Sequence, residues 1–368
     1  MGVFDVNRFT SIIVLLLVLA FLSSPLFVSI AYAVDDSWAT LEPMPAARAV
    51  IEVAVVDGKI YAIGGSYDSC GVEEYDPVTN TWTTKTPMST PRIFFGIAVV
   101  ENKIYTIGGD SGNWTVGETP TNVNEVYDPA TDTWETLTPM PTKRLGLSAS
   151  VVDGKIYCIG GRRGEPTYAD VSATEVYDPS TDTWTTMEPI PTPVSYHASA
   201  VLDNRIYIIG GAVRFSLNQI YDPETETWSS GAPLPTGVDS AAAVATTGEM
   251  APKRIYVIGG KQNLDAVNLT QIYDPETDTW ITGTPMPTAR YGLDVAVLND
   301  TLYAIGGREG WFGAPISAAN EQYTPAGYIP EFPSWTPTLL ILIVLAVAVA
   351  VYKRKLPKTA NSTIIFDA

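Results

Sequence analysis

The sequence predicts an all-β fold, a six-bladed propeller, and three recurring features predict it. Six times an apolar run ends in a Gly-Gly pair, at a period of about fifty residues. A Tyr-Asp-Pro triplet follows each of the first five pairs, and a Trp stands seven residues after each of those Tyr residues. Repetition at such a period is typical of repeat architectures, in which each unit is one supersecondary element. The pairs are Gly64/Gly65, Gly108/Gly109, Gly160/Gly161, Gly210/Gly211, Gly259/Gly260 and Gly306/Gly307.

One copy contains the signals of four short antiparallel strands. In the first repeat an apolar strand, Val53 to Val56, meets the hairpin signal Asp57-Gly58, and Lys59 to Ile63 returns to the glycine pair. A third strand leads into the turn Tyr75-Asp76-Pro77, where Pro presets φ. The β-branched and aromatic run Thr81-Trp82-Thr83 forms the fourth strand. Four strands without a helical period predict one propeller blade per repeat.

The sixth copy lacks its fourth strand. It reaches Tyr323-Thr324-Pro325 and then enters a Pro-rich stretch without the expected Trp. A matching segment, Ser37-Trp38-Ala39-Thr40, precedes the first Gly-Gly pair at the other end of the chain. We therefore expect this N-terminal strand to complete the sixth blade and close the ring, which removes an open sheet edge.

The repeated pattern resembles the kelch repeat, and the resemblance runs from Trp38 to Tyr323. It implies a kelch-type propeller, assigned to residues 34–326. Kelch relatives also include a copper radical oxidase that needs two histidines and a Tyr bonded to Cys. This chain has a single histidine, His197, which excludes that site and a His-rich zinc site. Its repeat position is apolar in the other five copies, so we expect a buried core histidine.

The N-terminus has the pattern of a secretory signal peptide over residues 1–33. An apolar run from Ile12 to Leu22 follows Arg8, and Ala31-Tyr32-Ala33 offers the small residues of a cleavage site. The mature chain then begins near Val34. The alternative is an uncleaved N-terminal anchor.

The C-terminus predicts one transmembrane helix with its core at residues 338–352. That stretch carries no charge, and Lys353-Arg354-Lys355 follows it, which places the tail 353–368 in the cytoplasm and the propeller outside. Within the Pro-rich linker 327–337, Ile329 to Trp335 resembles the Pro-Glu-Phe sorting signal of archaeal surface proteins, which implies cleavage near the motif. The alternative is a stiff stalk.

Composition limits the partners. The chain has 22 basic and 40 acidic residues, a net charge of −18, which argues against nucleic acid or anionic headgroups. Cys70 and Cys158 fall in blades that are not neighbours, so no disulfide is expected. No cofactor is implied. Possible glycan acceptors begin at Asn113, Asn268 and Asn299.

Binding is expected on the face that carries the loops after the Gly-Gly pairs. These loops differ in length and carry large aromatic and Arg side chains, as a recognition surface on a rigid scaffold requires. Packing of some aromatics onto their own loops is the alternative. The residues are Trp114, Tyr168, Trp311 and Phe312, with Arg162, Arg163 and Arg308, and additionally Tyr67, Phe215 and Arg214.

A second candidate site lies at the mouth of the central channel. Four repeats carry an arginine thirteen residues before the Tyr of the second strand, and blade four carries Val194 there. Blade five has a longer first hairpin, and alignment by its Pro-Thr entry places Val238 at the equivalent position. In some eukaryotic kelch proteins arginines around the mouth hold acidic peptides, and the resemblance implies the same use here. The alternative is structural pairing with carboxylates. The arginines are Arg48, Arg92, Arg144 and Arg290.

Glu52 and Asp294 stand four residues further along, on blades one and six, which adjoin in the ring. Two carboxylates there could hold a cation or serve as acid and base. Ion pairs with Arg48 and Arg290 are the alternative. No catalytic or metal-binding constellation emerges, and the sequence favours a non-enzymatic cell-surface module that binds protein or glycan. Other possibilities are a carbohydrate-active enzyme that uses these carboxylates and arginines, and a structural component of a surface layer.

Overall fold

The computed structural model describes residues 36–65, 70–112, 117–310 and 313–329. Within these residues every regular element is a β-strand, and the strands form six four-stranded antiparallel sheets and one two-stranded hairpin. The first strands of neighbouring sheets contact one another in a closed ring. The predicted six-bladed propeller is therefore confirmed. The predicted signal peptide, transmembrane helix and cytoplasmic tail, and the linker from residue 330, lie outside the described residues.

The blades follow the chain in order, each from the channel outward. Blade 1 consists of β2 (Glu52–Val56), β3 (Lys59–Ile63), β4 (Val72–Asp76) and β5 (Thr81–Lys85). Blade 2 consists of β6 (Gly96–Val100), β7 (Lys103–Ile107), β8 (Asn124–Asp128) and β9 (Thr133–Thr136). Blade 3 consists of β10 (Ser148–Val152), β11 (Lys155–Ile159), β12 (Thr174–Asp178) and β13 (Thr183–Thr186). Blade 4 consists of β14 (Ala198–Leu202), β15 (Arg205–Ile209), β16 (Asn218–Asp222) and β17 (Thr227–Ser230).

The last two blades depart from this order. Blade 5 carries an extra hairpin, and blade 6 takes its outer strand from the N-terminus. Their strands are β18 (Ala242–Ala245), β19 (Ile255–Ile258), β22 (Thr270–Asp274) and β23 (Thr279–Thr282), with the hairpin β20 (Lys261–Gln262) and β21 (Asp265–Ala266), and then β24 (Asp294–Leu298), β25 (Thr301–Ile305), β26 (Asn320–Thr324) and β1 (Ser37–Thr40). No helix among the described residues is long and apolar enough to cross a membrane.

The ring closes through the N-terminal strand, as the sequence predicts. β1 pairs antiparallel with β26, and Trp38 stands opposite Tyr323. Their ring centroids are 5.0 Å apart, close to the 4.9 Å between Tyr75 and Trp82 within blade 1. The two ends of the propeller are thus joined in one sheet.

The hydrophobic core consists of six clusters, each shared by two neighbouring blades. Between blades 1 and 2, for example, Tyr61 and Ile63 pack with Phe95 and Tyr127. The glycine pairs permit this close packing: a Cβ at Gly64, whose φ is +67°, would lie 2.9 Å from the carbonyl oxygen of Arg92. Only glycine accepts both that φ and that contact without strain.

The Tyr-Asp-Pro and Trp residues form a clamp between blades. In blade 3 the Tyr177 hydroxyl donates to Asp182 Oδ1 at 2.6 Å, and the same oxygen accepts the amide of Thr138 at 2.9 Å. Trp184 Nε1 donates to the carbonyl oxygen of Thr138 at 2.9 Å. Both backbone groups of one residue in blade 2 are thereby bound. Equivalent clamps join Asp132 and Trp134 to Thr86, Asp278 and Trp280 to Ala232, Asn80 and Trp82 to Glu42, and Asp36 and Trp38 to Thr284.

The junction between blades 3 and 4 has only half of this clamp. Trp228 Nε1 donates to the carbonyl oxygen of Glu188 at 3.2 Å, but Glu226 stands where the other clamps have Asp or Asn. Among the described residues the buried Tyr221 hydroxyl has no hydrogen-bond partner, and neither has that of Tyr323 in blade 6. At the junction between blades 3 and 4 the longer side chain of Glu226 explains the missing bond to the Glu188 amide, because its carboxylate lies one methylene further from its own backbone.

We expect Glu226→Asp to stabilise the protein. The shorter carboxylate can accept the Tyr221 hydroxyl and the Glu188 amide, which should add about 1 kcal/mol to the free energy of unfolding. Equilibrium denaturation of the two proteins measures it. Asp182→Glu, which transfers the blade 4 arrangement to blade 3, should lower stability by a similar amount. Unchanged stability in both variants would refute the clamp as an energetic unit.

Candidate binding surface and central channel

The two ends of the propeller differ in what they present. Because strands alternate in direction, the loops after the Gly-Gly pairs and the crossovers between blades lie on one end, here called the variable face. The hairpin turns and the Tyr-Asp-Pro turns lie on the other, the hairpin face. Short bridges tie the crossovers to the loops on the variable face, for example Leu145 to Arg162 and Tyr291 to Arg308. The scaffold therefore fixes the base of these loops.

Five backbone hydrogen bonds link successive blades around the mouth of the channel on the variable face, from blade 1 through blade 6 to blade 2. One residue of each blade has a left-handed φ between 53° and 62°, although three of them are the bulky Val50, Phe94 and Tyr196. Such φ values are costly for bulky side chains and persist only where the surroundings impose them. The amides of Gly146, Tyr196, Ser240, Gly292 and Val50 donate to the carbonyl oxygens of Phe94, Gly146, Tyr196, Ser240 and Gly292 respectively.

The four mouth arginines do not line the channel, and this part of the sequence prediction is corrected. Arg48, Arg92, Arg144 and Arg290 are at most 3% exposed. Arg92 is typical: its Nη2 donates to Glu125 Oε2 at 2.6 Å, and its Nη1 donates to the carbonyl oxygen of Gly108 at 2.8 Å. Arg48 and Arg290 pair in the same way with Glu73 and Glu321 on the third strands of their own blades. Arg144 differs: its Nη1 lies 3.1 Å from Glu175 Oε2 without a hydrogen bond, and its Nη2 donates to the carbonyl oxygen of Cys158 at 2.9 Å.

Blades 4 and 5 exchange both members of this pair. Where Arg becomes Val194 or Val238, the carboxylate becomes Gln219 or Gln271. Gln219 Oε1 accepts the amide of Thr192 at 2.9 Å, and its Nε2 donates to the carbonyl oxygen of the same residue at 3.1 Å. A buried carboxylate without its arginine would be an uncompensated charge, so the neutral amide belongs with valine.

The carboxylates of Glu52 and Asp294 do face the channel. They lie on the neighbouring first strands β2 and β24, and both line a cavity of about 220 Å³. Asp294 Oδ2 accepts the amide of Val53 at 2.7 Å, and its Oδ1 accepts the amide of Val295 at 2.8 Å. The alternative of ion pairs with Arg48 and Arg290 is wrong, because those arginines bind Glu73 and Glu321.

Burial dominates the protonation of this pair. Burial raises the pKa of Asp294 to about 7, while hydrogen bonds from the amides of Val53 and Val295 and from Glu52 act in the opposite direction. Burial, the charge of Asp294 and the hydrogen bond to it raise the pKa of Glu52 well above its usual range. The two amide donors stabilise the negative charge on Asp294, so Asp294 ionises first, at about pH 7, while Glu52 keeps its proton.

A second polar pair lies across the channel, on blades 3 and 4. His197 Nε2 is 3.0 Å from Ser148 Oγ, and both side chains line the same cavity. Burial lowers the pKa of His197 to about 4, opposed by a hydrogen bond with the backbone of Val194. The imidazole is therefore neutral at neutral pH, which agrees with the expected buried histidine.

On the variable face the structure brings Arg162 and Tyr168 together. The Arg162 guanidinium lies over the rings of Tyr168 and Tyr196, 5.4 Å and 5.8 Å from their centroids. Its Nε is 3.7 Å from Glu118 Oε2, on the loop of blade 2. Arg163 is exposed and Arg308 is half-buried. Trp114, Trp311, Phe312 and Tyr67 lie outside the described residues.

Other exposed apolar side chains on this face were missed by the sequence reasoning, which looked for aromatic rings and arginines. Val213 is 74% exposed and Leu264 is 50% exposed, on the loops of blades 4 and 5, and Ile316 stands on the loop of blade 6. Tyr168, Val213 and Leu264 all have a left-handed φ, of 45°, 65° and 77°. The sequence signal for these side chains was an apolar residue within an otherwise polar loop of variable length.

The remaining sequence features fall away from the variable loops or within the core. Cys158 is buried and Cys70 half-buried, and both are free. Burial raises the pKa of the Cys158 thiol to about 12. Asn299 is exposed at the tip of the β24–β25 hairpin, and Asn268 is half-buried before β22. Asn113 lies outside the described residues. Among the described residues no group of three or more His, Cys, Asp or Glu side chains could hold a metal ion.

These features define a closed six-bladed β-propeller built on Gly-Gly and Tyr-Asp-Pro repeats. The sequence profile described as "KLHDC2/KLHL20/DRC7 Kelch-repeats domain" matches residues 35–211, and the profile described as "Kelch motif" matches residues 193–235 and 251–287. Together they cover well over half of the chain, and the chain belongs to the kelch-repeat family. Kelch propellers typically serve as protein-binding scaffolds.

Similar proteins share the repeats over short stretches. Kelch-like protein 28 of Mus musculus is 31% identical over 92 residues, 25% of this chain and 16% of that protein. Kelch-like protein terF of Aspergillus terreus is 32% identical over 130 residues, 35% of this chain and 19% of that protein. The matches thus span less than a fifth of these relatives. The solved structure titled "Structure of YjhT" superimposes with a TM-score of 0.65 at 18% identity, over 76% of this chain and 95% of that one, which shows the fold alone.

The buried ion pair of Arg92 and Glu125 predicts that a single substitution lowers the stability of the protein much more than the matching double substitution does. Arg92→Val should leave Glu125 buried and unpaired, and should lower the free energy of unfolding by about 3–5 kcal/mol. The double variant Arg92→Val/Glu125→Gln copies blade 4 and should recover most of that loss. Equilibrium unfolding measures both. A double variant as unstable as the single one would contradict the pairing argument.

Proposed function

We propose that this protein is a cell-surface module that binds a protein partner with the variable face of blades 3 to 5. One observation carries the proposal: three successive blades present an exposed apolar side chain at a left-handed φ, namely Tyr168, Val213 and Leu264. Exposing such side chains loses hydrophobic stabilisation, and a left-handed valine costs about 1–3 kcal/mol. A contact with a partner would explain both costs, because apolar residues on rigidly held loops are what a protein interface requires.

The charges on this surface favour an acidic, apolar segment as the partner. Arg163 and Arg214 are exposed beside these apolar residues, and neither has an ion-pair partner among the described residues. They stand out on a chain whose net charge is −18. Free guanidinium groups bind carboxylates well because their planar forks match carboxylate geometry. The surplus negative charge elsewhere disfavours nucleic acid.

The path of the chain fits a membrane anchor on the opposite side. Ser37 at the start of β1 pairs with Thr324 at the end of β26, and both lie at the hairpin face. A linker and transmembrane helix that follow residue 329 would therefore point the variable face away from the membrane. We propose an exported, single-pass protein with an extracellular propeller, a cytoplasmic tail and no cofactor. The Pro-Glu-Phe sorting signal is part of this proposal.

The other functions receive less support. A carbohydrate-active enzyme would need arginines at the channel, but the four candidates are buried in ion pairs. We therefore propose a non-enzymatic role. A glycan partner would use the aromatic residues of the same face, so the binding experiment includes it. A purely structural role in a surface layer would not explain why apolar loop residues are exposed and held at a left-handed φ.

The test is a pull-down of cell-envelope proteins and glycans with the purified full-length protein. Val213→Ser/Leu264→Ser should weaken a saturable interaction about tenfold or more, because each removes apolar contact area at the interface centre. The matched control is Val78→Ser on the hairpin face, where Val78 is 91% exposed. Its binding should equal that of the wild type.

Two further variants assign the partner chemistry. Arg163→Gln/Arg214→Gln should weaken binding of an acidic protein segment and reduce its salt dependence. Equal loss in the Val78 control, or unchanged binding in both variable-face variants, would refute this surface. Retention of glycans alone would replace the protein partner by a glycan.

A further inference from the structure

The junction between blades 6 and 1 is where the two ends of the propeller chain meet. On its outer side, Asn80 and Trp82 clamp Glu42, two residues after the end of β1. On its inner side, β24 and β2 meet at the channel, and the amide of Val50 donates to the carbonyl oxygen of Gly292 at 2.6 Å. Asp294 adds a side-chain link, because its carboxylate accepts the amide of Val53 across the junction.

Among the described first strands, a carboxylate accepts a backbone amide of the next blade at this junction alone. The residues that correspond to Asp294 on the other first strands are Glu52, Gly96, Ser148, Ala198 and Ala242. Asp294 binds one amide in each of two blades, Val53 in blade 1 and Val295 in its own strand. It therefore satisfies two backbone donors at the edges of two sheets, which would otherwise be costly near the channel.

The charges around the pair leave a second ionisation uncompensated. Six first strands enclose the cavity, and the titratable side chains that line it are Glu52, Asp294 and, across the channel, the neutral His197. Arg48 and Arg290, the nearest basic residues in sequence, bind Glu73 and Glu321. Two carboxylates side by side on neighbouring strands, with no Lys or Arg among the described residues that line the cavity, repel each other strongly.

We propose that Glu52 and Asp294 form a proton-operated latch on the ring-closing junction. With one proton shared by the pair, Glu52 donates to Asp294 and the inner edges of blades 6 and 1 stay together. When the proton leaves to water, two carboxylates face each other across the junction and loosen it. The latch is independent of what the variable face binds.

The direction of the pH effect follows from the sign of the shifts. Both pKa values are raised by burial, that of Asp294 from 3.8 to about 7. A group whose pKa is raised by folding contributes stability at pH values below its unfolded pKa, and this stability is lost as the pH rises through the folded value. The junction should thus be tight in mildly acidic medium. Asp294 ionises at about pH 7 while Glu52 keeps the shared proton, and the junction loosens only at the higher pH at which Glu52 ionises.

The decisive variant is Glu52→Gln. Its neutral amide can donate to Asp294 at every pH, so the latch stays closed. In full-length wild-type protein the transition temperature should fall by about 2–4 °C per pH unit between about pH 5 and about pH 8. In the variant this slope should be halved or less, with a higher transition temperature at the alkaline end. Glu101→Gln, the same change at an exposed hairpin, should keep the wild-type slope. A wild-type slope in Glu52→Gln would overturn the proposal.

Hydrogen exchange of the wild-type protein tests the latch independently and requires no variant. After correction for the intrinsic rate, protection of residues 52–56 should fall relative to the equivalent strand 96–100 as the pH rises above about 7. Equal changes in both strands would overturn the latch even if Glu52→Gln failed to fold.

Discussion

The structure depends on hydrogen bonds that hold both backbone groups of one residue in the neighbouring blade. An Asx oxygen binds the amide and a Trp indole binds the carbonyl of that residue, as Asp182 and Trp184 do with Thr138. A single four-stranded blade cannot bury its faces alone, so stability has to come from contacts between blades. Each core cluster is shared by two blades, and the clamps fix their spacing at the outer edge. Closure through β1 allows the first and last blades to use the same bonds.

The buried Arg–Glu pairs perform a different task, within each blade. Arg92 ties the incoming crossover to the second and third strands through Gly108 and Glu125. In blades 4 and 5 both members of the pair are replaced together, as Val194 and Gln219 show. This agrees with the physical rule that a buried charge requires its partner. The consequence for function is direct. The arginines that suggested a binding mouth are part of the scaffold, and recognition shifts outward to the loops of the variable face.

At two places the side chains do not follow the repeat that the blades otherwise share. One is the set of loops after the Gly-Gly pairs, where Val213 and Leu264 are exposed and strained. The other is the first residue of each inner strand, where most blades have small side chains and the closing junction has Glu52 and Asp294. At both places the side chains differ among otherwise equivalent blades. We therefore assign the proposed partner surface to the loops and the proposed latch to the inner strands.

The sequence by itself determined the blade count, the four-strand unit and closure by Trp38, because each depends on local signals that recur in register with the chain. It also brought Glu52 and Asp294 together, since repeat position maps directly onto position in the ring. It could not decide whether Arg48, Arg92, Arg144 and Arg290 face solvent or the blade interior, because the orientation of a long side chain depends on partners about 25 to 33 residues away. The exposure and φ of Val213 and Leu264 were likewise settled only by tertiary structure, as irregular loops carry no period from which a side chain's direction follows.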